Sequence, residues 1–117
     1  MYACSLERMK DKIATFSKFG DAGHGGITRY SLSEAAIQAR NEFRRRMEAI
    51  GAVIEIDDVA NMYATLPGSD PDAKRIVMAS HVDSVKNGGN YDGSWASCLP
   101  WRCWRQYTKS RSRTSIR

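Results

Sequence analysis

The chain has 117 residues, 26% of them charged and 42% hydrophobic, with a formal net charge of +5. That length allows one modest core at most, and no apolar run reaches the roughly 20 residues of a membrane span or the pattern of a signal peptide. The charge is uneven: residues 1–93 carry 12 Lys and Arg against 13 Asp and Glu, whereas residues 94–117 carry 6 basic residues and no acid.

Cys4, Cys98 and Cys103 are an odd number with no second pair at zinc-ribbon spacing, so neither a disulfide scaffold nor a zinc ribbon is indicated. A reducing compartment, the cytoplasm, is the expected location.

Leu6, Met9, Ile13 and Phe16 recur at helical spacing and predict an amphipathic helix from about Ser5 to Lys18, stopped by Gly20. "GDAGHGGITRYS" follows, with Gly20, Gly23, Gly25 and Gly26 making a loop. No Lys-Ser/Thr pair follows it, as a phosphate cradle would need.

Ser31 and Glu34 have the spacing of a capping box, which starts a second helix near Leu32. Ala36, Ala39, Phe43, Met47 and Ile50 mark its inner face, and Gly51 is its stop. Arg44, Arg45 and Arg46 are expected on a solvated face paired with Glu42 and Glu48, a reading favoured over phosphate binding.

"AVIEID" alternates like a half-buried strand, "NMYATLPG" is its expected partner, and "DDVA" connects them. "PGSDPDAK" is dense in turn formers. "RIVMAS" predicts a short strand buried on both faces in the middle of an α/β sheet, with His81 at its end.

In open α/β sheets ligands bind beyond the carboxyl ends of the strands, which places His81 at the favoured position for a site. With Val82 turned inward, His81 and Asp83 project to the same side. A carboxylate there can accept an imidazole N–H and leave the other nitrogen free for a metal. "SVKNGGNYDG" then lets Gly88 and Gly89 turn the chain so that Asp92 returns towards His81. An imidazole and a carboxylate suit zinc, manganese or cobalt.

The stretch "ASHVDSVKNGGNYDG", together with "GGITR" and "LPGSDPDA" upstream, resembles the metal-dependent amidohydrolases of the M20 clan that cleave N-carbamoyl-L-amino acids, allantoate and ureidoglycolate. The resemblance covers about Ser5 to Gly93. It implies the N-terminal part of a zinc-peptidase-like α/β catalytic domain, two helices followed by a mixed sheet, incomplete in this chain.

By that resemblance His81 is a ligand of one ion, Asp92 bridges two divalent ions (Zn, Mn or Co), and Asp83 is the catalytic-site residue that orients His81. The electrophile is the carbon of a small carbamoyl or ureido substrate, and the parent is a homodimer joined through a domain missing here. The general base and the remaining ligands are absent, and His24 has no ligand role. Catalytic zinc takes about three protein ligands per ion, so this chain is expected to hold metal weakly and to be inactive.

After Gly93 the family pattern ends. "SWASCLPWRCWRQYTKS", back-translated with one added G and read one nucleotide out of step, can encode VLGVLPAMEVLETIYEE, an apolar helix former like the family's next element. The chain is therefore expected to divide into the catalytic-domain portion, residues 1–93, and an aberrant basic Trp-rich tail, residues 94–117, left disordered by a single-nucleotide deletion. Two alternatives stay open: a small nucleic-acid-binding protein using Trp101 to Arg113, ranked lower, and a fragment of an aminoacylase or dipeptidase of the same clan. No membrane association is expected.

Overall fold

The computed structural model describes residues 5–70, 72 and 74–93. The tail expected at 94–117 lies outside the described residues. Within them, two helices precede an antiparallel strand pair.

Helix α1 spans Leu6–Ser17 and starts at Ser5, whose hydroxyl accepts the Arg8 backbone N–H at 3.4 Å. This satisfies one of the four amides that a helix start leaves without a partner. Met9, Lys12 and Phe16 form its buried face, whereas Leu6 is 65% exposed. Gly20 ends the turn at φ +87, and a Cβ there would sit 2.4 Å from the Thr28 carbonyl oxygen, so this position requires glycine.

Helix α2 spans Glu34–Glu48, and its cap is Ser33, whose hydroxyl accepts the Ala36 N–H at 3.3 Å. The capping box expected at Ser31 and Glu34 is therefore displaced by two residues. The cause is Leu32, whose φ of 64 is left-handed and cannot belong to a right-handed helix. Glu34 instead accepts a hydrogen bond from Gln38 at 3.1 Å, one turn on, and Ser31 is left outside the helix.

Ala36, Ala39 and Met47 are buried as expected, and Phe16 packs on Ala39 with Phe19 and Phe43 beside it. The Phe16 and Phe19 rings meet edge to face, 6.2 Å apart at 71°. The solvated face expected for the arginines holds for Arg45, 67% exposed, but Glu42 and Arg46 are only 16% and 17% exposed: Glu42 takes hydrogen bonds from both arginines, and Arg46 lies 5.8 Å from the buried Phe16 ring centre. Those bonds, Arg45's foremost, hold the Glu42 carboxyl down at about 2.

Strands β1 (Val53–Ile56) and β2 (Met62–Thr65) pair in the register Val53 to Thr65. Asp57 fixes the connection: Oδ1 accepts the N–H groups of Val59 and Asn61, and Oδ2 accepts Asn61 Nδ2 and Tyr63 O–H. The half-buried alternation is weaker than expected, with Val53 60% and Ile56 47% exposed.

The buried central strand expected at "RIVMAS" does not form; Ile76 is 82% and Val77 76% exposed. A strand of that kind depends on ladder partners to either side for its backbone and on cover for both faces. Among the described residues no strand lies beside it. Its apolar sequence is that of a buried element, but its neighbours here do not bury it.

Candidate active site

The glycine loop that sequence patterning left as mere connection is the mount for the site. Ile27 and Gly88 exchange both backbone hydrogen bonds, at 2.9 and 2.8 Å. Next to them the Ser84 N–H donates to the Arg29 carbonyl at 2.8 Å, and the Ser84 hydroxyl accepts the Arg29 N–H at 2.9 Å while donating to the Ile27 carbonyl at 3.0 Å. The Asn87 N–H is taken by the Thr28 hydroxyl at 2.9 Å. Ile27, Arg29 and Ser84 are all buried, so water does not compete for the bonds among these three.

Arg29 anchors this mount to the helices. Its side chain is fully buried; Nη1 donates to the carbonyls of Phe16 and Phe19, each at 2.8 Å, and Nε donates to the carbonyl of Val82. One planar guanidinium thereby ties the end of α1 to the residue between His81 and Asp83. Burial pushes its pKa down, and the nearby Asp83 charge opposes that shift.

On this mount the three site residues that the sequence suggested come together. His81 Nδ1 faces Asp83, 3.3 Å from Oδ1 and 3.1 Å from the backbone carbonyl. His81 Nε2 faces Asp92 Oδ1 at 3.6 Å. Asp83 Oδ2 accepts the Ser31 hydroxyl at 3.1 Å. The three side chains are about half exposed, 52%, 44% and 58% for His81, Asp83 and Asp92, so the site is open to small molecules.

Gly93 closes it. At φ +59, a Cβ would lie 2.6 Å from His81 Cε1, Nδ1 and carbonyl oxygen, so the absence of a side chain there gives the imidazole its space. The Ser80 hydroxyl donates to the Gly93 carbonyl at 3.3 Å and holds this approach.

These donors fit a divalent cation in chemistry and spacing. In the tautomer that carries its proton on Nδ1, towards Asp83, the Nε2 lone pair faces a carboxylate oxygen, and two acceptors so placed repel unless a cation lies between them. Bonds of about 2.0–2.1 Å in tetrahedral geometry put two donor atoms roughly 3.4 Å apart, close to the separation here. Among the described residues, however, no three His, Cys, Asp or Glu side chains are arranged to surround an ion.

Sequence comparison finds homologues of the chain. It is 32% identical over 95 residues to the allantoate amidohydrolase of Escherichia coli, and 33% identical over 89 residues to the N-carbamoyl-L-amino-acid amidohydrolase of Rhizobium meliloti. A ureidoglycolate hydrolase from Oryza sativa is 33% identical over 88 residues. The chain is homologous to part of the allantoate and N-carbamoyl-L-amino-acid amidohydrolases.

These matches cover 81%, 76% and 75% of this chain but only 23%, 21% and 18% of the relatives, so the chain spans about a fifth of their length. Two solved hydantoinase/carbamoylase family amidases, from Burkholderia vietnamiensis and Burkholderia multivorans, superpose with a TM-score of 0.85, each over 89% of this chain and 25% of their own, at 26% and 24% identity. The likeness supports the expected fold class, part of an α/β catalytic domain. No family model matches the chain.

Among the described residues no helix is long and apolar enough to cross a membrane. His24 lies exposed in the glycine loop. The nucleic-acid reading at Trp101 to Arg113 falls outside the described residues. Sequence reasoning missed Arg29, Ser84 and Gly93, and it gave Ser31 to the wrong element. The sequence signal for Arg29, Ser84 and Gly93 was the resemblance carried by "GGITR" and "ASHVDSVKNGGNYDG", which names motifs without saying what each residue holds.

Proposed function

We propose that this chain carries one half of a two-ion hydrolytic site, in a protein that cleaves linear amide or ureido C–N bonds of the N-carbamoyl-L-amino acid or allantoate type. The observation that carries the reading is the pairing of His81 Nε2 with Asp92 Oδ1 at 3.6 Å while Nδ1 is turned to Asp83. The bond type is supported by the relatives, which are hydrolases of allantoate, N-carbamoyl-L-amino acids and ureidoglycolate.

In this reading His81 and Asp92 hold the ions, which are zinc, manganese or cobalt by donor chemistry. Bound divalent ions supply Lewis acidity towards a carbonyl and towards water. Asp83 keeps the imidazole proton on Nδ1, so that Nε2 stays a donor of electrons. Asp92 has two carboxylate oxygens and can serve two ions at once. Gly93 keeps the ring's position free of any side chain.

Two protein ligands, those found among the described residues, are too few for two catalytic ions, so the 117-residue chain by itself is inactive in this proposal. The test compares this chain with one whose reading frame is restored after the Gly93 codon. The restored chain should hydrolyse N-carbamoyl-L-amino acids or allantoate only with added Mn, Co or Zn, and His81→Ala or Asp92→Ala should abolish that activity. Turnover of N-acetyl amino acids or dipeptides instead would assign it to the aminoacylases or dipeptidases. Undiminished activity in both variants would refute the site.

A further inference from the structure

We propose that Ser31 is a positioning residue for His81, acting through Asp83; the inference rests on the metal reading of His81. Asp83 offers its two oxygens to different partners, Oδ1 to His81 Nδ1 at 3.3 Å and Oδ2 to the Ser31 hydroxyl at 3.1 Å. The terminal torsion of an aspartate is broad and two-fold, so a carboxylate held at one oxygen alone can swing its plane. A second hold at the other oxygen fixes that plane and keeps Oδ1 aimed at Nδ1.

Ser31 is itself well placed for this. It lies between two fixed points, the buried Arg29 mount and the Ser33 cap of α2, and the Ser33 N–H bonds the Tyr30 carbonyl across it at 3.0 Å. The capping task that its spacing suggests is carried out by Ser33. Ser31 is exposed, so removing its hydroxyl leaves the core untouched.

The test uses the 117-residue chain without metal, at a pH well above the ordinary imidazole value of about 6.5. Long-range ¹⁵N–¹H correlation spectra of His81 report which nitrogen carries the proton. The native chain should favour Nδ1–H, and Ser31→Ala should shift the tautomer ratio towards Nε2–H by roughly two- to tenfold, the worth of one hydrogen bond. Ser31→Thr should restore it, with the urea midpoint of all three chains unchanged. Zinc titrated into the same samples should bind more weakly to Ser31→Ala by a similar factor.

An unchanged tautomer ratio in Ser31→Ala would overturn the proposal, as would an equal loss of stability in the Ala and Thr variants, which marks a merely structural serine. If the tautomer shifts as expected while neither the native chain nor one with its reading frame restored after the Gly93 codon takes up zinc, Ser31 keeps its positioning role and the metal reading fails. If zinc binds the native chain and the tautomer ignores the substitution, the metal reading stands and Ser31 is excluded.

Discussion

Replacing Arg29 with Met keeps the bulk of a buried side chain while removing every donor. Three carbonyls, those of Phe16, Phe19 and Val82, then lose a charged partner. Bonds from a charged donor are worth about 1.5–3 kcal/mol each, and because the three share one rigid group their sum is closer to 4–6 kcal/mol than to simple addition. Against this, the variant no longer buries a cation, which returns a few kcal/mol.

The expected net loss for Arg29→Met is about 2–4 kcal/mol, a large part of the 5–15 kcal/mol typical of a small domain. Urea unfolding followed by far-ultraviolet circular dichroism measures it. Arg29→Lys should lose nearly as much, because an ammonium cannot span carbonyls of α1 and of Val82 with one planar fork. A midpoint shift worth under about 0.5 kcal/mol in Arg29→Met would refute the clamp and mean that those carbonyls find other donors.

Gly93→Ala should displace His81, since the new Cβ would meet the ring and the less movable His81 carbonyl at 2.6 Å, and the left-handed backbone adds about 1–2 kcal/mol for any side chain. Altered His81 ring chemical shifts with unchanged helical content would show this, whereas native shifts would count against the close approach. Glu42, held at about 2 rather than 4.5, stabilises the fold fully above its unfolded value, and that contribution disappears as pH falls from about 4.5 through about 2. Acid titrations should therefore show a flatter fall in stability for Glu42→Gln than for the native chain, and parallel curves would dismiss the ion pairs.

Local spacing alone made much of this chain legible. Helical periodicity located α1 and α2, alternation and turn residues located β1, β2 and the connection at Asp57, and the two-residue step from His81 to Asp83 was enough to pair a ring with its carboxylate. These features depend on neighbours within a turn or a hairpin, where sequence and geometry are nearly the same thing. Even the return of Asp92 to His81 needed only a short loop, although its left-handed residue is Asn87, at φ 52, and neither Gly88 nor Gly89.

Long-range packing decided the rest. Val82 lies 53 positions from Arg29 and Ser84 lies 57 from Ile27, and no period or motif says that a buried guanidinium or hydroxyl will bridge such gaps. The start of α2 turned on the φ of Leu32, a choice made by the chain's path into the mount and not by the Ser-x-x-Glu spacing. "RIVMAS" shows the converse: composition declares an apolar strand, but a strand exists only when partners satisfy its backbone and cover its faces. Sequence thus determined which residues could carry the chemistry, and tertiary structure decided what holds them still, because burial and hydrogen bonding are properties of the places where distant segments meet.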